Sequence, residues 1–291
     1  MKLRIAAAVA TGVVLIGILA WPLAAPPEPF GAVLASNLSF GGALTLAALA
    51  FSAGFIGYFI SWPHGREIGI LAVPSGLAIW AVRCGNMADL MRVNPTLAQR
   101  QAVFAALKWE PIFWLAIVAA GFGGVLLGRK IRSKPEPDKN EEKSNSELSI
   151  YLNAIIALVG SVLIAQFCLR IFAQDVRIFD PRLGSVMAQP AVGQVVFAVL
   201  VSFGIAAFIF KRFLNVSYIW PIAASAFVTG FAITAYLKQD ILQHLVGQHP
   251  AAFFCNAVTS VLPVQMVAYG TLGSIAGYWL AVRYSHWRKH A

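Results

Sequence analysis

Residues 129–148, RKIRSKPEPDKNEEKSNSEL, are the one long stretch of this chain that is dense in charge and carries no apolar stripe. Pro135, Pro137 and the interleaved Lys and Glu residues offer no face whose burial could repay the entropy of ordering. The expectation is a disordered linker, 129–149, between a unit at 1–128 and a second at 150–291. On both sides the sequence turns into apolar runs of about 18 to 25 residues, the length a helix needs to cross a bilayer. The chain therefore reads as all-α, a polytopic membrane helix bundle.

Composition points the same way. Apolar residues make up 59% of the 291 positions and charged residues 12%, against roughly a quarter charged in soluble domains, so most of the surface is not facing water. A transmembrane barrel would need segments of about ten residues alternating apolar and polar, and the runs here are continuous. The net charge of +10 is no sign of nucleic acid, because the Lys and Arg residues cluster at the ends of apolar runs, where they orient spans and meet headgroups. The partners expected are the lipid bilayer and other membrane proteins or a second copy. Cys84, Cys168 and Cys255 form no CxxC pair, share no matching position between the units, and are expected to stay free of disulfides.

Taken in order, the spans are expected at 4–22, 40–61, from 68 onward, 111–128, 151–170, 192–210, 218–237 and 257–282, about eight in all. The first resembles a leader in composition, with Lys2, Arg4 and small residues Ala24 and Ala25 before a Pro-rich segment. A segment of the same length recurs at 151–172, in the same position before the next span, where it cannot be a cleaved leader, so 4–22 is expected to be a span as well. Span 2 stops at Trp62 and Pro63. Span 3 meets Arg83 early, which requires tilt, an outward-turned arginine or continuation through RCGNMADLM; Pro74, Ser75 and Gly76 predict a kink within it.

Sliding the second half back by 151 or 152 positions superposes the spans, setting Gly42 on Gly193, Phe59 on Phe210, Asp89 on Asp240, Pro111 on Pro263 and Gly121 on Gly273. This is the pattern of a tandem repeat, four spans plus four. An even number of spans per copy makes the copies parallel, related by an axis along the membrane normal. With the N-terminus inside, 14 of the 22 Lys and Arg residues fall on the cytoplasmic side, which favours a plasma or bacterial inner membrane protein with both termini cytoplasmic. Small residues recur every four positions in span 4 (Ala120, Gly124, Gly128) and span 8 (Gly273, Gly277, Ala281). They serve either packing inside each unit or a meeting of spans 4 and 8 at the pseudo-two-fold axis.

No span centre carries a His, Asp, Glu, Lys or Arg, which argues against proton-relay pumps, bis-histidine haem proteins and intramembrane proteases. His244 and His249 near Cys255 suit no zinc spacing, and GxGxxG, GxSxG and Walker patterns are absent. No cofactor, metal or catalytic constellation is expected. What remains is a polar collar at the outer ends of spans 3, 4, 7 and 8: Arg83, Asp89, Lys108, Glu110, Lys238, Asp240, Asn256 and Gln265, with Thr259 and Ser260 beside them. It reads either as a charged interfacial rim, with Arg83 and Lys238 favoured at helix C-termini by the backbone dipole, or as an outward-facing vestibule that attracts an anion. Two functions follow: transport or channel-like activity through that vestibule, or a non-catalytic scaffold or subunit of a membrane complex.

Overall fold

The computed structural model describes residues 1–26, 31–132, 147–249 and 253–290. The core of the expected disordered linker, 133–146, lies outside the described residues; its two edges, 129–132 and 147–149, are helical. The apolar membrane helices on either side run further into the charged stretch than its composition suggests.

The chain is all-helical, 80% helix and 3% strand. The helices are α1 (Lys2–Gly12), continued as a π-helical segment Val13–Leu19, α2 (Trp21–Ala24), α3 (Phe40–Ile60), α4 (Gly65–Ile68), α5 (Ala72–Arg83), α6 (Met87–Val93), α7 (Leu97–Leu107), α8 (Glu110–Arg132), α9 (Glu147–Phe172), α10 (Val192–Leu214), α11 (Ile219–Tyr236), α12 (Gln239–Gln248) and α13 (Pro263–His290). A two-stranded antiparallel hairpin, β1 (Arg177–Asp180) and β2 (Gly184–Met187), joins α9 to α10.

Among the described residues, seven helical segments are long and apolar enough to cross a membrane, with α7 and α8 counted as one run, Leu97–Arg132. The chain is thus a multi-pass, membrane-embedded protein by length and composition. α13, the expected eighth span, is long at 28 residues but stands outside that set. Gln265, Tyr269, Thr271, Ser274 and the glycines between them dilute its apolar character.

Two expected spans differ in detail from the sequence reading. Span 3 is three segments in series: α4, a 3-10 turn at Gly69–Leu71, and α5. Pro74 falls in the first turn of α5, where a missing N–H costs no intrahelical bond, so the break precedes the proline instead of kinking the helix at it. α5 then stops at Arg83, and Asn86 and Asp89 close a capping box that starts α6 afresh. Span 8 opens with a 3-10 turn at Ala257–Ser260 capped by Asn256, passes through extended Val261, and becomes helical at Pro263.

The most extensive pairings set α8 on α3 and α13 on α10; α9 packs on α10 and α11, α1 on α3 and α5, and α13 also on α5, α8 and α11. α5 and the first half of α13 are buried almost throughout, whereas α1 and α9 keep most of their surface outside. A row at four-residue spacing on α9, Ile155, Val159, Leu163, Phe167 and Ile171, points outward. Exposed aromatics mark both ends of the bundle, Phe40 and Trp109 at one, Trp62, Phe213 and Trp287 at the other, as interfacial belts do. Arg132 lies 4.2 Å over the Trp62 ring and Lys211 4.7 Å over Tyr278.

The small-residue faces are used inside each unit. A Cβ on Gly54 would sit 2.0 Å from the Gly121 carbonyl oxygen, and one on Gly277 would sit 2.0 Å from that of Gly204. The α3–α8 and α10–α13 backbones therefore touch, which only glycine permits. Gly54→Val and Gly277→Val should each abolish the monodisperse peak of the full chain on detergent size exclusion. Gly230→Ala and Gly247→Ala, where nothing lies within 4 Å of the added Cβ, should leave it unchanged.

Candidate functional site

Arg100, Glu110, Asp180, Thr259, Ser260 and Gln265 are buried toward the end of the bundle that holds the α5–α6 and α9–α10 connections. Trp80 and Arg83 sit three apart on α5, and Glu110 and Trp114 four apart on α8, so each pair shares a helix face. These faces meet in a row of three indoles: Trp21 to Trp80 at 6.1 Å and Trp80 to Trp114 at 6.2 Å between ring centroids, both edge-on. Arg83 closes one end, its guanidinium 4.4 Å over Trp21 and 3.5 Å from the Gly17 carbonyl oxygen. Glu110 closes the other. It is 5% exposed, and its Oε1 accepts the Ala35 N–H at 2.9 Å. Glu110 Oε2 and the indole N–H groups of Trp80 and Trp114 are buried with no hydrogen-bond partner among the described residues. Trp114 Nε1 approaches the same carboxyl group without closing a bond to it. A carboxyl group at the edge of the membrane region with one open oxygen is the kind of group that marks function in membrane proteins.

A second set of contacts joins residues before the charged stretch to residues after it. The final carbonyls of α5, that of Ala81 among them, have no acceptor role within the helix, and α13 supplies donors to Ala81 and, a turn earlier, to Ala78. Gln265, 1% exposed, donates from Nε2 to the Ala81 carbonyl at 3.2 Å while its Oε1 accepts the Leu262 N–H at 3.1 Å. Tyr269 donates its hydroxyl to the Ala78 carbonyl at 3.2 Å. Gln189 accepts the Ala88 N–H and donates to the Ser260 carbonyl, both at 3.2 Å. Near them Tyr236 of α11 stacks on Phe104 of α7 at 4.5 Å and donates to Met91 Sδ at 3.2 Å. The buried Arg100 donates from Nε to the Asn94 carbonyl at 3.0 Å.

Of the eight collar residues, Arg83 and Glu110 are joined by the tryptophan row, and Gln265 ties in through α5. The other five are spread along the rim. Asp89 serves the α6 capping box and faces Arg92 at 3.6 Å. Lys108 lies at the C-terminus of α7, its amine 5.6 Å from the Trp109 ring centre. Asn256 accepts from the Val258 and Thr259 N–H groups. Lys238 precedes α12 and Asp240 lies in its first turn, both exposed. Cys84, Cys168 and Cys255 are free thiols, and burial pushes Cys84 up to about 11.

Sequence reasoning missed one cluster altogether. Asp180, at the end of β1, is fully buried at 2% exposure. Its Oδ1 accepts the N–H groups of Arg182 and Leu183, both at 2.8 Å, and its Oδ2 accepts Nε2–H of His244 at 2.8 Å and of His249 at 3.1 Å. His244 on α12 and His249 at the end of that helix are therefore both held by one carboxylate. The available signal was DPRLG at 180–184, an Asp-Pro start with Gly four residues on, which marks a turn fastened by its aspartate; nothing in the sequence paired it with α12.

Burial alone would raise the Asp180 pKa, but the Leu183 N–H, His244, the Arg182 N–H and His249 together outweigh it and hold the carboxyl well below the usual carboxylate range. A folded-state pKa below the unfolded one contributes stability above the unfolded value, about 3.9, and loses it as pH falls through the folded value. Asp180→Asn should accordingly lower the detergent-solution melting temperature by about 2–4 °C at pH 7. The gap between variant and parent should narrow as pH is taken below about 4; an equal gap at pH 7 and pH 3 would contradict the ionised contact.

Comparison with known protein families, curated proteins and solved structures finds no match to this chain.

Proposed function

We propose that the chain is a non-catalytic scaffold or subunit of a membrane protein complex, built from two parallel four-span units with α13 as the eighth span. The repeat reading draws support from pairings that recur in order: α8 on α3 in the first unit, α13 on α10 in the second. Asp89 and Asp240 each lie in the first turn of the short helix that follows the third span of their unit. Pro111 and Pro263 each open the fourth, and Gly121 and Gly273 each lie against a neighbouring helix backbone.

The observation that carries the scaffold reading is the apolar core. Leu77, Trp80 and Ala81 of α5 belong to one buried cluster with Val264, Val267 and Ala268 of α13. α5 and α13 thus pack directly on each other, whereas an alternating-access transporter keeps a site between its halves. Of the collar residues, Asp89 and Asn256 are engaged in caps and Gln265 in a bond to α5, which suit a rigid body that partners assemble around. A second reading, transport or channel-like activity, is favoured by Glu110, whose open oxygen lies buried with the unpartnered indole N–H groups of Trp80 and Trp114 at the ends of α5 and α8.

Reconstitution separates the two. Proteoliposomes containing the purified chain should show the same proton and anion permeability as empty vesicles. A saturable flux lost in Glu110→Gln would overturn the scaffold reading in favour of transport.

In the proposed topology both termini lie in the cytoplasm of a plasma or bacterial inner membrane, following the distribution of Lys and Arg. Reporter fusions placed after Lys139 and at Ala291 should both read cytoplasmic. One internal and one external reading would break the even span count of each unit.

A further inference from the structure

The β1–β2 hairpin holds apolar side chains away from the protein. Val176 is 63% exposed, Ile178 40% and Phe179 79%, within a segment whose Arg170, Arg177 and Arg182 are exposed as well. Asp175 is the one exposed acid between residues 170 and 187, since Asp180 is buried. A two-stranded hairpin is marginal by itself, yet this one is fastened on every side. Asp180 fixes its turn and binds α12 through two histidines. Met187 exchanges both backbone bonds with Phe254 at 2.9 Å, and the Ala188 N–H donates to the Val176 carbonyl at 3.0 Å. The apolar residues are therefore kept outward by a built frame.

The hairpin lies directly past the ends of α9 and α10. Gln194 of α10 donates to the Phe172 carbonyl at 3.1 Å and also to that of Gln174. The outward row of α9 ends in Phe167 and Ile171, and Val176, Ile178 and Phe179 follow it within a few residues. Continuity with a lipid-facing row, together with three arginines and one exposed acid, matches the chemistry of the headgroup boundary. There apolar groups enter the acyl edge and guanidinium groups meet phosphate.

We propose that the hairpin is a membrane-interface anchor: Val176, Ile178 and Phe179 insert at the acyl boundary of the outer leaflet, and Arg170, Arg177 and Arg182 bind phospholipid phosphates. This rests on the membrane-embedded reading of the helices. The test uses the unmodified full chain in phosphatidylcholine and phosphatidylglycerol vesicles doped with a phospholipid that carries a diazirine near the headgroup end of its acyl chain. After irradiation, adducts are mapped by peptide mass spectrometry, and a parallel sample is exposed to hydroxyl radicals made in the water phase. Lipid adducts are expected within 176–179 as well as at Phe167 and Ile171, with little oxidation of Phe179. Adducts at Phe167 and Ile171 with none at 176–179 and strong oxidation of Phe179 would place the hairpin in water and overturn the anchor alone. Protection of 176–179 from both reagents would mark a protein partner there and overturn it too. Absence of adducts along α9 itself would overturn the membrane reading on which the anchor stands.

Discussion

Helices surrounded by lipid gain little from burying apolar surface against one another, so what holds them is closeness: short distances, dispersion and dipole contact between backbones. In this protein closeness is obtained where glycines meet a neighbouring backbone, as Gly54 meets Gly121, Gly277 meets Gly204 and Gly12 meets Ala72. From those contacts the arrangement spreads. With α3 on α8 and α10 on α13, α5 is enclosed between the first pair and α13 of the second. The tryptophan row and the glutamine bonds can form only because α5 ends where both pairs can reach it. Some buried hydroxyls in the helices are settled locally, Thr229 on the Ser225 carbonyl and Ser274 on that of Gly270, whereas those of Ser161, Ser202 and Thr271 have no partner among the described residues.

The class of the fold was legible because hydrophobic length is a one-dimensional signal. Seven long apolar segments lie where apolar runs predict them. Breaks were less legible. Pro74 announced an irregularity, but where it fell depended on the tight approach of Gly69 to the Tyr58 backbone, a long-range packing fact with no local mark. The hairpin at 177–187 and the π-helical stretch Val13–Leu19 were missed for related reasons: strands of four residues carry too little periodicity, and one widened helical turn leaves the apolar pattern of a span intact.

The polar collar was legible as composition and opaque as geometry. Arg83 and Glu110 stand 27 positions apart and communicate through Trp21, Trp80 and Trp114, which in sequence look like ordinary interfacial aromatics. Gln265 looked like a vestibule residue because a polar side chain near a span end is commonly wet. Its burial follows from the helix end it completes, and that end belongs to the other unit. Asp180 was invisible for the opposite reason. A turn aspartate is so common on surfaces that only the arrival of α12, more than fifty residues later, distinguishes it.

The bond from Gln265 to Ala81 spans 184 positions and that from Tyr269 to Ala78 spans 191, which has a meaning in time as well as in space. A ribosome delivers α5 to the membrane long before it makes the residues that finish it. During that interval the carbonyls at the end of α5 must be met by water, headgroups or an insertion factor. α5 waits, incomplete, for the last helix of the chain, so the segments before and after the charged stretch mature together.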